Sequence, residues 1–391
     1  MLKLFGTSGI RGYTNSEISP LFALDIAQSF GYYLRKGNIA VGIDTRYGAE
    51  MLKFAVVSGL VSNGINVFDC GCLPTSALSN YIFEKKLSGG IMLTGSHMPY
   101  DRIGIIFLES NGTYASFALS KKIEKIYFEK KYKVKIPIEK IGKIYVSNDA
   151  VEIYKKKILK IVKIKKMNFK ILADPCNGTA SKILPYILKK FGCDVIEVNC
   201  LEKNKPDREP EPRAHSLRKT AKLVKKFGCD LGVATDIDAD RVVFIDANGN
   251  VIMEDLIGVI FASRIFKKKK GTLVLPVNSS LLIESLAKKY GWKIVYCKIG
   301  QPNTMASFKK YNADYAYEES GKYYFVENGQ IWCDGILTTL KILELLSNEN
   351  TTLDSIIKEF PKIYQKKVKI RCREEEKEKI MKNLHKHLTD F

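Results

Sequence analysis

A strand–helix–glycine–strand pattern occurs three times along this chain and restricts its fold more than any other feature. The first copy opens with Asn38-Ile39-Ala40-Val41-Gly42-Ile43-Asp44. It continues through a helical stretch from Ala49 to Ser62 and closes with Gly64-Ile65-Asn66-Val67-Phe68-Asp69. The second runs from Phe169-Lys170-Ile171-Leu172-Ala173-Asp174 through a helix from Ala180 to Phe191. It ends in Gly192-Cys193-Asp194-Val195-Ile196-Glu197-Val198. The third runs from Gly271-Thr272-Leu273-Val274-Leu275-Pro276 through a helix from Leu281 to Tyr290 to Gly291-Trp292-Lys293-Ile294-Val295-Tyr296. Each copy is a parallel βαβ unit, with glycine supplying the left-handed helix stop. The copies start roughly 100 to 130 residues apart, too far for a solenoid and right for consecutive α/β domains.

A chain of 391 residues exceeds one ordinary core. The pattern predicts domains at 1–146, 147–250 and 251–362, with 363–391 left over. The weakly patterned, lysine-rich stretch from Tyr132 to Lys143 leads out of the first domain. A helix from Ser147 to Ile164 leads into the second, and a turn at Asp246-Ala247-Asn248-Gly249-Asn250 closes it. The remainder reads as one strand, Lys367 to Arg371, and one charged helix, Glu374 to His387.

Composition excludes several classes. Hydrophobic residues make up 46% and charged residues 27%, as in a globular protein. There is no apolar run long enough to span a bilayer and no signal-like N-terminus, so a cytoplasmic location and no membrane partner are expected. The nine cysteines are scattered without zinc spacing and read as reduced core residues. The net charge of +21 comes from lysines at helical spacing beside Ile and Leu. That is the pattern of solvated helix faces, and no aromatic-interleaved basic segment indicates nucleic acid. A positive field does suit phosphorylated substrates.

Four short segments carry chemistry. In Thr94-Gly95-Ser96-His97-Met98-Pro99, a serine follows the apolar run Gly90 to Leu93, past the strand end where open α/β sheets place their sites. The Gly-x-Ser-x-Gly elbow of a hydrolase is absent. Asp236, Asp238 and Asp240 alternate with Ile237 and Ala239 between two apolar strands. On a strand they would share one side; in a loop they could surround a cation. Three close carboxylates repel unless compensated, and a hard dication, Mg²⁺, is the economical reading against a plain polar turn. Phe5-Gly6-Thr7-Ser8-Gly9-Ile10-Arg11-Gly12 can wrap an oxyanion with backbone N–H groups and a guanidinium. Tyr317-Glu318-Glu319-Ser320-Gly321-Lys322 fails as a Walker loop, because Ala316 and Tyr323 stand where glycine and Ser/Thr belong. Its adjacent carboxylate and hydroxyl suit sugar hydroxyls.

In this order and spacing the four segments resemble the α-D-phosphohexomutases: phosphomannomutase/phosphoglucomutase and phosphoglucosamine mutase. The resemblance covers residues 3 to 371. It implies an α/β fold of three similar domains with mixed sheets around a central cleft, and a fourth α+β domain of which 363–391 would be a short remnant. It implies interconversion of hexose 1-phosphate and hexose 6-phosphate through a phosphoserine enzyme, with hexose 1,6-bisphosphate as intermediate and activator. Ser96 would carry phosphate, and Asp236, Asp238 and Asp240 would hold Mg²⁺ together with a phosphoserine oxygen. Arg11 and His97 would lie near the reaction centre, with Lys322 at the end of the sugar loop. Thr7, Ser8, Arg208, Arg241, Glu318 and Ser320 would contact substrate. The implied partner is a phosphorylated hexose, and the implied assembly a monomer or homodimer.

Five departures from the family pattern bear on activity. Met98 stands for asparagine in Ser-His-Asn-Pro, Ile106 for the lysine of Asn-Gly-x-Lys, Lys322 for histidine, and Gln301 for the His or Asp after Gly300. The Arg-x-Ser-Gly-Thr phosphate clamp of the fourth domain is absent from this sequence. The lost lysine and histidine would handle protons, a contribution of roughly 10² to 10⁴ in rate. Lys322 would substitute in part if its pKa were lowered. Mannose or glucose phosphate is the leading substrate; Arg208-Glu209-Pro210-Glu211-Pro212 points instead to phosphoglucosamine mutase. The other readings are a weakened sugar-phosphate-binding paralogue and a metal-dependent phosphatase.

Overall fold

The computed structural model describes residues 3–163, 167–267, 270–362, 372–373 and 376–388. The first repeat comprises β1 (Ile10–Tyr13), α1 (Pro20–Leu34), β2 (Asn38–Ile43), α2 (Ala49–Val61), β3 (Asn66–Cys72), α3 (Thr75–Glu84), β4 (Gly89–Leu93), β5 (Arg102–Glu109), α4 (Phe117–Phe128) and β6 (Ile144–Val146). The second comprises α5 (Ala150–Ile161), β7 (Lys170–Asp174), α6 (Ile183–Lys190), β8 (Asp194–Glu197), α7 (Arg218–Lys226), β9 (Leu231–Thr235) and β10 (Val242–Asp246). The third comprises α8 (Glu254–Phe266), β11 (Thr272–Pro276), α9 (Leu282–Tyr290), β12 (Lys293–Cys297), α10 (Gln301–Lys310), β13 (Tyr315–Glu318), β14 (Lys322–Glu327), β15 (Gln330–Cys333), α11 (Gly335–Asn348) and α12 (Leu353–Ile357).

All three predicted βαβ units form, and in each the two strands pair in parallel. The stop glycines Gly64, Gly192 and Gly291 have φ of 79°, 85° and 70°, the left-handed region that side chains resist. The sheets run β1-β5-β4-β2-β3-β6, β10-β9-β7-β8 and β12-β11-β13-β14-β15. A common core of four strands recurs: β3-β2-β4-β5, β8-β7-β9-β10 and β12-β11-β13-β14. Each has two parallel pairings and then an antiparallel one. The central strands β4 and β9 are buried throughout, which explains why their sequences are apolar up to Thr235 at the end of β9. Each repeat has its own apolar cluster, around Val41 and Ile91, Leu172 and Val243, and Val274 and Ala316.

Two elements differ from expectation. The lysine-rich stretch after Tyr132 leads into β6, which extends the first sheet beside β3. Three residues are too few to show a strand period. The helix expected from Ser147 begins at Ala150, because Ser147 Oγ turns back to Asp149 Oδ1 at 2.9 Å. Residues 359–391 form a separate unit. It contains α13 (Lys377–Leu388), in place of the helix expected over 374–387. The expected strand at 367–371 lies outside the described residues.

Side chains tie the repeats together. Tyr154 on α5 donates to Asp334 Oδ2 at 2.8 Å. Asp334 also caps α11, accepting from Ile336 N and Leu337 N at 2.8 and 3.0 Å. The next amide, Gly335 N, donates to Ala239 O at 3.0 Å. Burial raises the Asp334 pKa from 3.8 to about 6, against the opposing hydrogen bonds. The folded state therefore holds this proton more tightly than the unfolded one. The stabilisation is full below about pH 4 and is lost as pH rises through about 6. Asn is also a good cap, so Asp334→Asn should remove this pH dependence. The melting temperature of the native chain relative to the variant should then fall between pH 5 and pH 7, measured by thermal scans across that range.

Candidate active site

Three loops occupy one topological position, the connection between the third and fourth strands of the common core. They are the serine loop between β4 and β5, the aspartate loop between β9 and β10, and the Glu319–Gly321 turn between β13 and β14. The repeats bring them together.

The serine loop is built on a buried ion pair that the sequence reading missed. Asp44, just past β2, accepts from Arg46 Nε at 2.8 Å, Thr94 Oγ1 at 2.7 Å and Gly95 N at 3.1 Å. Arg46 then donates to the carbonyls of Ser96 (2.7 Å), Pro99 (2.9 Å) and Arg102 (2.5 Å). The planar guanidinium thus serves as the template for a loop with no secondary structure. Ser96 is held at φ 50°, a strained value for a side-chain residue. Its Oγ points across to the second repeat and donates to Asp236 Oδ2 at 2.6 Å.

The aspartates lie in a loop, not on a strand, and all three are buried. Ligand oxygens, one from each, lie within 4.8 Å of one another. Asp236 Oδ1 accepts from Arg241 N at 3.2 Å, Asp238 Oδ2 from Thr75 Oγ1 at 2.7 Å, and Asp240 Oδ2 from Tyr114 at 2.9 Å and Lys322 Nζ at 2.5 Å. Asp238 Oδ1 and Asp240 Oδ1 are buried without a hydrogen-bond partner, although Arg241 Nε lies 4.0 Å from the latter. Burial and then its carboxylate neighbours raise the pKa of Asp236, and raise that of Asp238 much further. For Asp240, burial acts upward, but Lys322 and Arg241 prevail and hold it below the usual value. Unpartnered, hard, anionic oxygens in a compact set fit a divalent cation such as Mg²⁺.

Cations surround His97, which lies beside the serine. His97 Nδ1 is 3.4 Å from Ser96 Oγ, and its Nε2 is 3.5 Å from Arg241 Nη2. Burial, and then Arg241, Arg11, Lys322 and Arg213, push its pKa down and keep the imidazole neutral. Arg11 reaches the cluster from β1, with its buried Nε unpartnered. Glu318 Oε1 accepts from Thr304 at 3.1 Å and from Tyr324. The buried Ser320 Oγ has no partner. Thr7 packs against Gly300, so the N-terminal loop meets the third repeat. Ser8 lies beside it, partly buried.

Three expectations change. Arg208 turns inward: its Nε bonds both Asp174 oxygens at 3.0–3.1 Å, and its Nη2 donates to Thr235 O at 2.6 Å. It braces the end of β9 instead of offering its donors to a substrate. The Lys322 pKa is raised, not lowered: burial acts downward, but Asp240 together with other neighbours, Glu318 among them, prevails. Ile106 is buried in β5 opposite Met92 and brings no charge. Besides Asp44 and Arg46, the sequence reading missed Thr75, Tyr114 and Arg213. Arg213 links Glu254 (2.6 Å) and Glu211 (3.1 Å) and reaches the Glu319 carbonyl at 3.3 Å. Its place directly after the Arg208–Pro212 segment was the one available signal.

Residues 2–134, 151–249 and 253–364 match, in turn, the phosphoglucomutase/phosphomannomutase alpha/beta/alpha domains I, II and III. The chain belongs to this family, the α-D-phosphohexomutases. It is accordingly an enzyme of the mutase class. A phosphoglucomutase/phosphomannomutase of Thermococcus kodakarensis is 35% identical over 379 residues, 94% of this chain and 82% of the relative. A phosphoglucosamine/phosphogalactosamine mutase of Sulfurisphaera tokodaii is 33% identical over 378 residues, 95% of this chain and 83% of the relative. The crystal structure of a phosphoglucomutase/phosphomannomutase family protein from Burkholderia thailandensis shares the fold. Its TM-score is 0.82 at 21% identity, over 93% of this chain and 81% of that one.

Replacing Arg46 tests the template. Arg46→Met strands a buried carboxylate at Asp44, a loss of about 3–5 kcal/mol when one partner of a buried pair is removed. Chemical denaturation should show a lower midpoint for the main unfolding transition, and Arg46→Lys should recover only part of it.

Proposed function

We propose that this phosphohexomutase interconverts the 1- and 6-phosphates of a hexose of the mannose or glucose type, with Ser96 as the phosphate carrier. The carrying observation is Ser96 Oγ, 2.6 Å from Asp236 within three buried carboxylates, with His97 beside it and Arg241 and Lys322 paired to the same carboxylates. Mg²⁺ held by Asp236, Asp238, Asp240 and a phosphoserine oxygen would offset charge on the transferring group.

The remaining work falls to the chain. Arg11 and His97 hold the phosphoryl group at Ser96. The sugar hydroxyls are oriented by Glu318 and Ser320, whose free oxygen and hydroxyl face no competing protein donor among the described residues. Phosphate passes from Ser96 to a hexose phosphate, giving a 1,6-bisphosphate. After this turns over in the cleft, its other phosphate returns to Ser96. The Sulfurisphaera relative's name extends the candidate sugars to amino sugars, so glucosamine 1-phosphate belongs in the assay.

Coupled assays with mannose 1-phosphate, glucose 1-phosphate and glucosamine 1-phosphate, each with Mg²⁺ and a hexose bisphosphate, test this reading. One of the first two should be turned over fastest, and Ser96→Ala should lose about 10³-fold or more. Chelation should abolish turnover and added Mg²⁺ restore it. Intact mass should show one phosphate on the native chain and none on Ser96→Ala. A phosphate on Ser96 without turnover of any hexose phosphate would instead mark a sugar-phosphate-binding paralogue. Net release of inorganic phosphate would mark a phosphatase.

A further inference from the structure

Lys322 opens β14 and is almost wholly buried. Its Nζ donates to Asp240 Oδ2 at 2.5 Å and Gln301 Oε1 at 2.8 Å, and lies 5.5 Å from the Tyr114 ring centroid. Tyr114, from the first repeat, donates to the same Oδ2. One Asp240 oxygen is therefore claimed by donors from two other repeats, while Oδ1 of Asp240 and of Asp238 accepts no hydrogen bond. Lys322 and Asp240 form a buried ion pair, both side chains almost wholly out of solvent.

We infer that Lys322 is a tethered counter-ion of the aspartate loop: a built-in cation that compensates the buried carboxylates when no metal is bound and opposes metal binding when one arrives. The inference rests on the reading that Asp236, Asp238 and Asp240 hold Mg²⁺. Its physical content is competition. An ammonium sharing a carboxylate with a dication repels it, and at such distances the effect exceeds a factor of ten in affinity even at high effective dielectric. Removing the charge leaves the loop's other supports: Thr75 on Asp238, Tyr114 on Asp240, and Gly335 N on Ala239. Lost alignment is therefore the smaller effect. In the native chain Lys322 keeps the site folded without metal, at the expense of metal affinity.

The test uses the full chain, stripped with chelator and dialysed. MgCl₂ is titrated calorimetrically, and melting temperature is read with and without saturating MgCl₂. Lys322→Met and Lys322→Gln should bind Mg²⁺ about tenfold more tightly or better. Their melting temperature should rise more on Mg²⁺ addition than that of the native chain. Tyr114→Phe removes a neutral donor to the same oxygen and should keep native affinity within about threefold. A neutral variant that folds only in Mg²⁺ supports the inference as well. Unchanged or weaker Mg²⁺ affinity in both neutral variants overturns it, as does failure of both to fold even in Mg²⁺. If the native chain itself binds no Mg²⁺, the metal reading fails instead, a result distinct from either.

Discussion

Three carboxylates buried within 4.8 Å of one another are the constraint on which the rest of the structure depends. Burying even one unpaired carboxylate is costly, and mutual repulsion adds to the cost. The second repeat, which carries them, supplies only part of the compensation through Arg241. The first repeat adds the hydroxyls of Ser96, Thr75 and Tyr114, and the third adds Lys322. The loop is thus satisfied only where all three repeats meet. This gives a physical reason for the bonds that hold them there, Tyr154 to Asp334 and Gly335 to Ala239.

How much of this was legible follows from the range of each interaction. The βαβ units show in the sequence because strand and helix periods and a positive-φ glycine are local properties. Ser96 and the aspartates show because they sit in short polar segments directly after apolar strands. Arg46 did not show: it acts on a carbonyl 50 positions away. Tyr114 acts on Asp240 across 126 positions and looks like any core aromatic in sequence. Arg208 misled in the opposite direction, since a proline-framed arginine reads as a ligand until Asp174 is seen beneath it. The largest upward influence on the Lys322 pKa, Asp240, is a contact that no neighbour in sequence reveals.

The repeats also divide labour through one shared device, used twice and then altered. In the first repeat Asp44, at the end of the first core strand, clamps Arg46 and Thr94 to fix the serine loop. In the second, Asp174 holds the same strand position and clamps Arg208 and Thr220, and Arg208 reaches the carbonyl of Thr235 at the start of the aspartate loop. In the third, the matching position is Pro276, which can clamp nothing. Asn278 instead donates to Glu319 in the hairpin, at 2.5 Å, and Arg213 comes across from the second repeat to the Glu319 carbonyl. The two loops read as carrying phosphate and metal each have a buried charged clamp within their own repeat, beside the contacts from other repeats. The loop read as gripping the sugar is fixed partly from outside. Its position depends on how the second and third repeats dock, so substitutions at Arg213 or Glu254 bear on substrate recognition without touching Ser96 or the aspartates.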